Sequence, residues 1–122
     1  MKLKKILVTG GAGCIGVPVC NELAKRGLQV VLFDLGEQIE RVKSEIKSKK
    51  IITFTGSIMD STNVREAMTG CDGVIHLAAY LGVKRTEDYK LRCLDINING
   101  TKIISDAINM NNKVKKVVFA SS

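Results

Sequence analysis

The chemistry in this sequence concentrates in a cluster of glycines and in an acid that follows it. Thr9-Gly10-Gly11-Ala12-Gly13-Cys14-Ile15-Gly16 separates the apolar run Ile6-Leu7-Val8 from a helical pattern of Val17, Val19, Cys20, Leu23 and Ala24. Gly11, Gly13 and Gly16 fit G-x-G-x-x-G, and Gly10, Gly13 and Gly16 fit G-x-x-G-x-x-G in the same stretch. Glycines let the backbone turn sharply and approach an anion with no side chain between. A helix that starts there adds unpaired N–H groups and the positive end of its dipole. The next apolar run, Gln29-Val30-Val31-Leu32-Phe33, ends at Asp34. That is about 20 residues past the turn, where a dinucleotide site places an acid on the ribose hydroxyls. Pyrophosphate at the turn and ribose at Asp34 together predict dinucleotide binding. A carboxylate repels a 2′-phosphate, and Leu35 and Gly36 rather than an Arg follow it. NAD is therefore expected over NADP.

The remaining reactive side chains are fewer. His76 is the single histidine and is expected to be structural at a strand end. Cys14, Cys20, Cys71 and Cys93 form no C-x-x-C pair, so no metal site is expected. Their placement suits reduced thiols. Cys14 adjoins the expected phosphate site, where a helix N-terminus lowers a thiol pKa, but its simpler role is to fill space. The formal charge of +7 arises from 19 Lys and Arg against 12 Asp and Glu. Glu37, Glu40 and Glu45 interleave with the bases of residues 41–50, the pattern of a solvated helix face. No reading helix or aromatic platform accompanies the charge, so no nucleic-acid partner is expected.

These groups need a scaffold, and the apolar pattern supplies one. At 122 residues and 45% hydrophobic content, the chain has the size and core of one domain. No apolar run approaches a membrane span, and the stretch after Lys5 is too short for a signal peptide. A cytoplasmic protein with no membrane partner is the expectation. Strands are predicted at about residues 4–8, 29–34, 51–55, 74–79 and 114–120. Helices are predicted between them at about 14–26, 37–49, 60–68 and 88–110, with Gly27 closing the first and Asp60 or Ser61 capping the third. Pro18 bends the first helix only if it falls beyond the first turn. Strict β-α alternation implies an α/β fold: a Rossmann-type, doubly wound parallel sheet of order 3-2-1-4-5, ending after strand five. The ligand then belongs at the C-terminal ends of strands one and four, where the order switches direction.

Several motifs now align with one family. Thr9 to Gly16, Asp34, His76-Leu77-Ala78-Ala79, Asn97-Ile98-Asn99-Gly100-Thr101 and Val118-Phe119-Ala120-Ser121-Ser122 span the chain in order. The sequence resembles the extended short-chain dehydrogenase/reductases, in particular the NAD-dependent epimerases and dehydratases of nucleotide sugars. The resemblance implies that the turn, through Gly10, Gly13, Cys14, Ile15 and Gly16, holds the pyrophosphate, and that Asp34 holds the adenosine ribose. It places Ser57 and Ile58 beside the adenine, although the family usually carries Asp where this chain has Ser57. Leu77, Ala78 and Ala79 would line the nicotinamide side, and Asn97 would face the cofactor from the long helix. Ser122 matches the catalytic Ser or Thr. In the family, a Tyr moves the hydroxyl proton, and a Lys four residues on makes that phenol a base at neutral pH.

That pair is expected some tens of residues beyond Ser122. Tyr80-Leu81-Gly82-Val83-Lys84 has the spacing but precedes the serine and contains a helix-weakening glycine, so it reads as chance. The chain is expected to be the N-terminal, cofactor-binding part of a longer enzyme that works by reversible hydride transfer at a sugar carbon. Alone it is expected to be inactive and to bind NAD weakly. A homodimer through the long helix is consistent with the family. The alternative is a non-catalytic NAD-binding sensor or scaffold that offers strand five as an open edge.

Overall fold

Strands that read as unbroken apolar runs must be covered on both faces, and the three central ones of this chain are. The computed structural model describes residues 2–78 and 90–120. Five parallel strands form one sheet: β1 (Lys5–Thr9), β2 (Gln29–Asp34), β3 (Ile51–Thr55), β4 (Gly73–His76) and β5 (Lys116–Phe119). Their order is β3-β2-β1-β4-β5, as expected. The helices are α1 (Gly16–Lys25), α2 (Gly36–Val42), α3 (Ser61–Met68) and α4 (Lys90–Met110).

Alternate side chains go to opposite layers. Ile6, Val8, Val30 and Leu32 meet Cys20 and Ala24 of α1 and Ile39 of α2. Leu7, Val31, Phe33 and Val74 meet Val64, Ala67 and Met68 of α3 and Ile104 and Ala107 of α4. In register, Thr9 lies opposite Phe33 and His76, and His76 lies opposite Phe119. The C-terminal ends of β1, β2, β4 and β5 therefore finish level and form one shelf.

At the other end of the sheet, Asp72 is buried, and its carboxylate accepts from the N–H groups of Lys4 and Lys5 at 3.0–3.1 Å. Its carbonyl accepts from Lys115 at 2.8 Å. One residue thus fixes the starts of β1, β4 and β5.

The elements differ from the expected spans in three main places. The first helix begins at Gly16, not near residue 14, because the glycine turn continues to Ile15. Pro18 consequently falls in the first turn, where no intrahelical bond is lost and no bend is required. The second helix ends at Val42 and tightens into a 3-10 turn, Lys43–Glu45. The fourth strand stops at His76: the Leu77 N–H is shared between the Thr9 carbonyl and the Thr9 hydroxyl, and the Ala78 N–H turns to the hydroxyl. Gly27 closes α1 as expected, with φ +91°, and Asp60 rather than Ser61 caps α3 by accepting from Thr62 and Asn63.

Candidate functional site

The glycine turn is the tightest piece of backbone on the shelf. Gly10 adopts φ +67°, and a Cβ there would lie 2.7 Å from the Ala78 nitrogen. A Cβ on Gly16 would overlap the Gly10 carbonyl oxygen and lie 2.6 Å from the Gly11 carbonyl carbon. The turn folds back on itself, which brings the start of α1 over the end of β1. No side chain caps that helix, and no acid sits in its first turn. Its positive end is therefore left for an anion from outside. Gly13, Cys14 and Ile15 are exposed on the rim.

Asp34 stands beside this turn. Its Oδ2 accepts from the Ala12 N–H at 3.0 Å, and its Oδ1 accepts from the Leu35 N–H at 2.8 Å. The Gly11 N–H donates to the Phe33 carbonyl at 3.2 Å, a second link between the turn and the end of β2. The carboxylate is half-buried, so part of it still faces solvent. A cradle that a Cβ would fill, an uncapped helix start and an adjacent acid suit a dinucleotide's pyrophosphate and ribose.

The other predicted residues spread along the shelf. Ser57 follows β3, and its Oγ accepts from the Met59 N–H at 3.1 Å. The Ile58 side chain is buried and packs on Gly100 of α4. Asp60 is committed to capping α3. The N–H of Asn63 in particular holds its carboxyl below the ordinary carboxylate range. Leu77 and Ala78 are half-buried directly after β4, with Ala78 against Gly10. Asn97 is half-buried on α4, and its carbonyl accepts from the Thr101 hydroxyl at 2.7 Å. Ala79, Ser122 and the Tyr80 to Lys84 spacing lie outside the described residues. Among the described residues no group of three or more His, Cys, Asp or Glu is placed to hold a metal. Burial pushes the thiol of Cys20 up to about 12 and that of Cys71 up to about 11, so neither is a nucleophile at neutral pH.

Sequence reasoning gave Thr9 only a place in the glycine motif and Thr101 only a part in packing the long helix against the sheet, yet both lie at the centre of the shelf. Thr9 is fully buried, and its Oγ1 lies 2.6 Å from His76 Nδ1 and within 3.1–3.2 Å of the Leu77 and Ala78 nitrogens. Thr101 Oγ1 lies 3.5 Å from His76 Nε2. The signal available was a polar residue ending a run of buried apolar ones, which must find partners inside the protein.

This geometry fits what comparison with known proteins finds. The sequence model of the NAD dependent epimerase/dehydratase family matches residues 6–122. The chain belongs to that family. Its cofactor, NAD, is the one expected from Asp34. Among curated relatives is the UDP-N-acetyl-alpha-D-glucosaminuronate decarboxylase of Bacillus cytotoxicus, 37% identical over 98% of this chain and 36% of that protein. The 3-beta-hydroxysteroid dehydrogenase of Mycolicibacterium neoaurum is 33% identical over 98% of this chain and 32% of that one. The crystal structure of UDP-glucose-4-epimerase from Stenotrophomonas maltophila, with bound NAD and formylated UDP-arabinopyranose, superposes with a TM-score of 0.84 at 31% identity. That match covers 98% of this chain and 37% of the epimerase. The chain thus spans about a third of the length of the proteins it matches and corresponds to their N-terminal part. Among the described residues no helix is long and apolar enough to cross a membrane.

Proposed function

We propose that this chain is the NAD-holding part of a nucleotide-sugar epimerase or dehydratase. The observation that carries the reading is the hydrogen bond from the Ala12 N–H to Asp34, which joins the phosphate turn to the ribose acid. In this reading Gly10, Gly13, Cys14, Ile15 and Gly16 present backbone to the pyrophosphate, and Asp34 takes the ribose hydroxyls. Ser57 and the Ile58 main chain meet the adenine. Leu77, Ala78 and Ala79 flank the nicotinamide with small side chains, Asn97 approaches from α4, and Ser122 hydrogen-bonds the reacting oxygen. Bound NAD supplies the hydride acceptor and donor. The chain's own residues bind it, orient it and keep water from one side of it.

Two relatives named for nucleotide sugars support that substrate class, and a steroid dehydrogenase matches this chain as well. We assign substrate choice to regions of those longer proteins that this chain does not match. The 122-residue chain alone is expected to turn over no sugar nucleotide, since it spans only about a third of the length of the enzymes it matches. A reduced cytoplasmic compartment suits its thiols, and a homodimer through α4 is consistent with the exposure of Ile98 on that helix.

A second reading, a non-catalytic NAD-responsive module, is favoured by the exposed Val117, Val118 and Phe119 of β5. Calorimetry with NAD and NADP, paired with gel filtration, separates the readings. Binding of NAD in preference to NADP at unchanged size supports the enzyme part. NAD-dependent oligomers support the module, and absence of any dinucleotide binding refutes both.

A further inference from the structure

The geometry points to His76 as a positioning residue: a neutral imidazole protonated on Nε2 that makes Thr9 hold the Leu77–Ala78 backbone in place and ties that strip to α4. The inference rests on the proposed reading that Leu77 and Ala78 flank the cofactor.

A hydroxyl has one proton to give and two lone pairs to accept with. Thr9 Oγ1 accepts from the Ala78 N–H at 3.2 Å and shares the Leu77 N–H, at 3.1 Å, with the Thr9 carbonyl at 3.0 Å, so both of its lone pairs face amide donors. Its proton is left for His76 Nδ1 at 2.6 Å. Nδ1 is therefore the acceptor of the ring, and the proton of the neutral imidazole sits on Nε2. Nε2 faces Thr101 Oγ1 at 3.5 Å, the loosest link of the set. Thr101 gives its own proton to the Asn97 carbonyl at 2.7 Å, so its oxygen is free to accept from Nε2–H. Every donor points the same way, from the Leu77 and Ala78 amides through Thr9, His76 and Thr101 to α4.

Three features make the arrangement a determinant of position and not only of packing. Thr9 is fully buried and His76 is 6% exposed, so water cannot stand in for a lost partner. Phe119 of β5 meets the ring edge-on at 5.7 Å and limits its rotation. Gly10 is packed against the Ala78 backbone, so a shift of Ala78 moves the phosphate turn as well. Among the described residues, the groups facing the ring are Thr9 from β1, Thr101 from α4 and Phe119 from β5, none of them charged. An imidazolium would add a ring donor to a Thr9 oxygen whose lone pairs already face two amides.

His76 is the single histidine of the sequence, which makes the test direct. In the chain labelled with 15N-histidine, a long-range proton–nitrogen correlation spectrum at neutral pH is expected to show Nε2 protonated and Nδ1 bare. A ring protonated on Nδ1, or a rapid mixture of the two forms, overturns the assignment. NAD affinity by calorimetry then tests the positioning. His76→Asn puts an amide oxygen at the level of Nδ1 and is expected to bind NAD within about threefold of the wild type. His76→Gln puts its amide at the level of Nε2, leaves Thr9 without its acceptor, and is expected to bind about tenfold more weakly. Equal affinity of the two variants overturns the positioning role, whatever their stabilities. If the wild-type chain binds no dinucleotide, the reading of the cofactor site falls and the cofactor role of His76 with it. The tautomer is still decided by the spectrum alone.

Discussion

At the scale of single residues, Gly16 and Asp34 constrain the site most tightly. A methyl on Gly16 meets backbone atoms of Gly10 and Gly11, which cannot rotate away as a side chain would. Gly16→Ala is expected to cost about 1–3 kcal/mol of stability, read from the urea midpoint. It should weaken NAD binding as well, because the start of α1 has to move. Asp34→Asn removes the charge that receives the Ala12 N–H. Hydrogen bonds to charged groups contribute about 1.5–3 kcal/mol, so NAD affinity is expected to fall about 10- to 100-fold. The preference over NADP should narrow in the same calorimetry.

His76 also gives stability a pH dependence with a definite sign. Burial lowers its pKa in the fold, so the unfolded chain takes up the proton first. Its contribution is fully present above the ordinary histidine pKa and is lost as pH falls through that value towards the lower folded one. Urea midpoints measured from about pH 7.5 down to about pH 5 should therefore decline, and His76→Asn should flatten that limb.

At the scale of elements, the two ends of the sheet have different fasteners. Asp72 gathers the starts of three strands with one buried carboxylate. Asp72→Ala leaves the Lys4 and Lys5 N–H groups without this acceptor and is expected to cost about 1–3 kcal/mol, measured by denaturant unfolding. NAD affinity per folded molecule should barely change, because the cofactor shelf is at the opposite end. The seam of α3 and α4 depends on apolar packing. Ile104 is fully buried among Val64, Ala67 and Met68, and Ile104→Ala is expected to cost about 2–5 kcal/mol. A smaller loss would mean that α4 can settle onto the sheet and close the gap.

At the scale of the whole molecule, the fold separates a basic end from a ligand end. Lys4, Lys5, Lys50, Lys115 and Lys116 flank the N-terminal ends of strands, whereas the glycine turn, Asp34 and His76 lie at the C-terminal ends. The charge of these five lysines would therefore act on an incoming dinucleotide only at long range. The molecule also carries an apolar edge. Val118 is 54% exposed and Phe119 45% on a terminal strand of the sheet. The purified chain is expected to self-associate as its concentration rises, and Val118→Lys to reduce that, both read by light scattering.

Sequence alone determined the order of elements, the parallel sheet and the glycine turn with Asp34 beside it. Each follows from local chemistry: alternating apolar runs, glycines where a Cβ has no room, and a carboxylate at a fixed distance along the chain. The capping of α3 by Asp60 was legible for the same reason. Tertiary structure decided what depends on neighbours distant in sequence. Thr9 looked like one more residue of a motif until folding set it beside His76, 67 positions away. Asp72 looked like part of a turn until Lys4 and Lys115 arrived. The strand through His76 was expected to continue, and it stopped where the Thr9 side chain shares the Leu77 amide and takes the Ala78 amide. Buried polar groups take whichever partners the fold brings within about 3 Å, and that choice is not written in any one stretch of the chain.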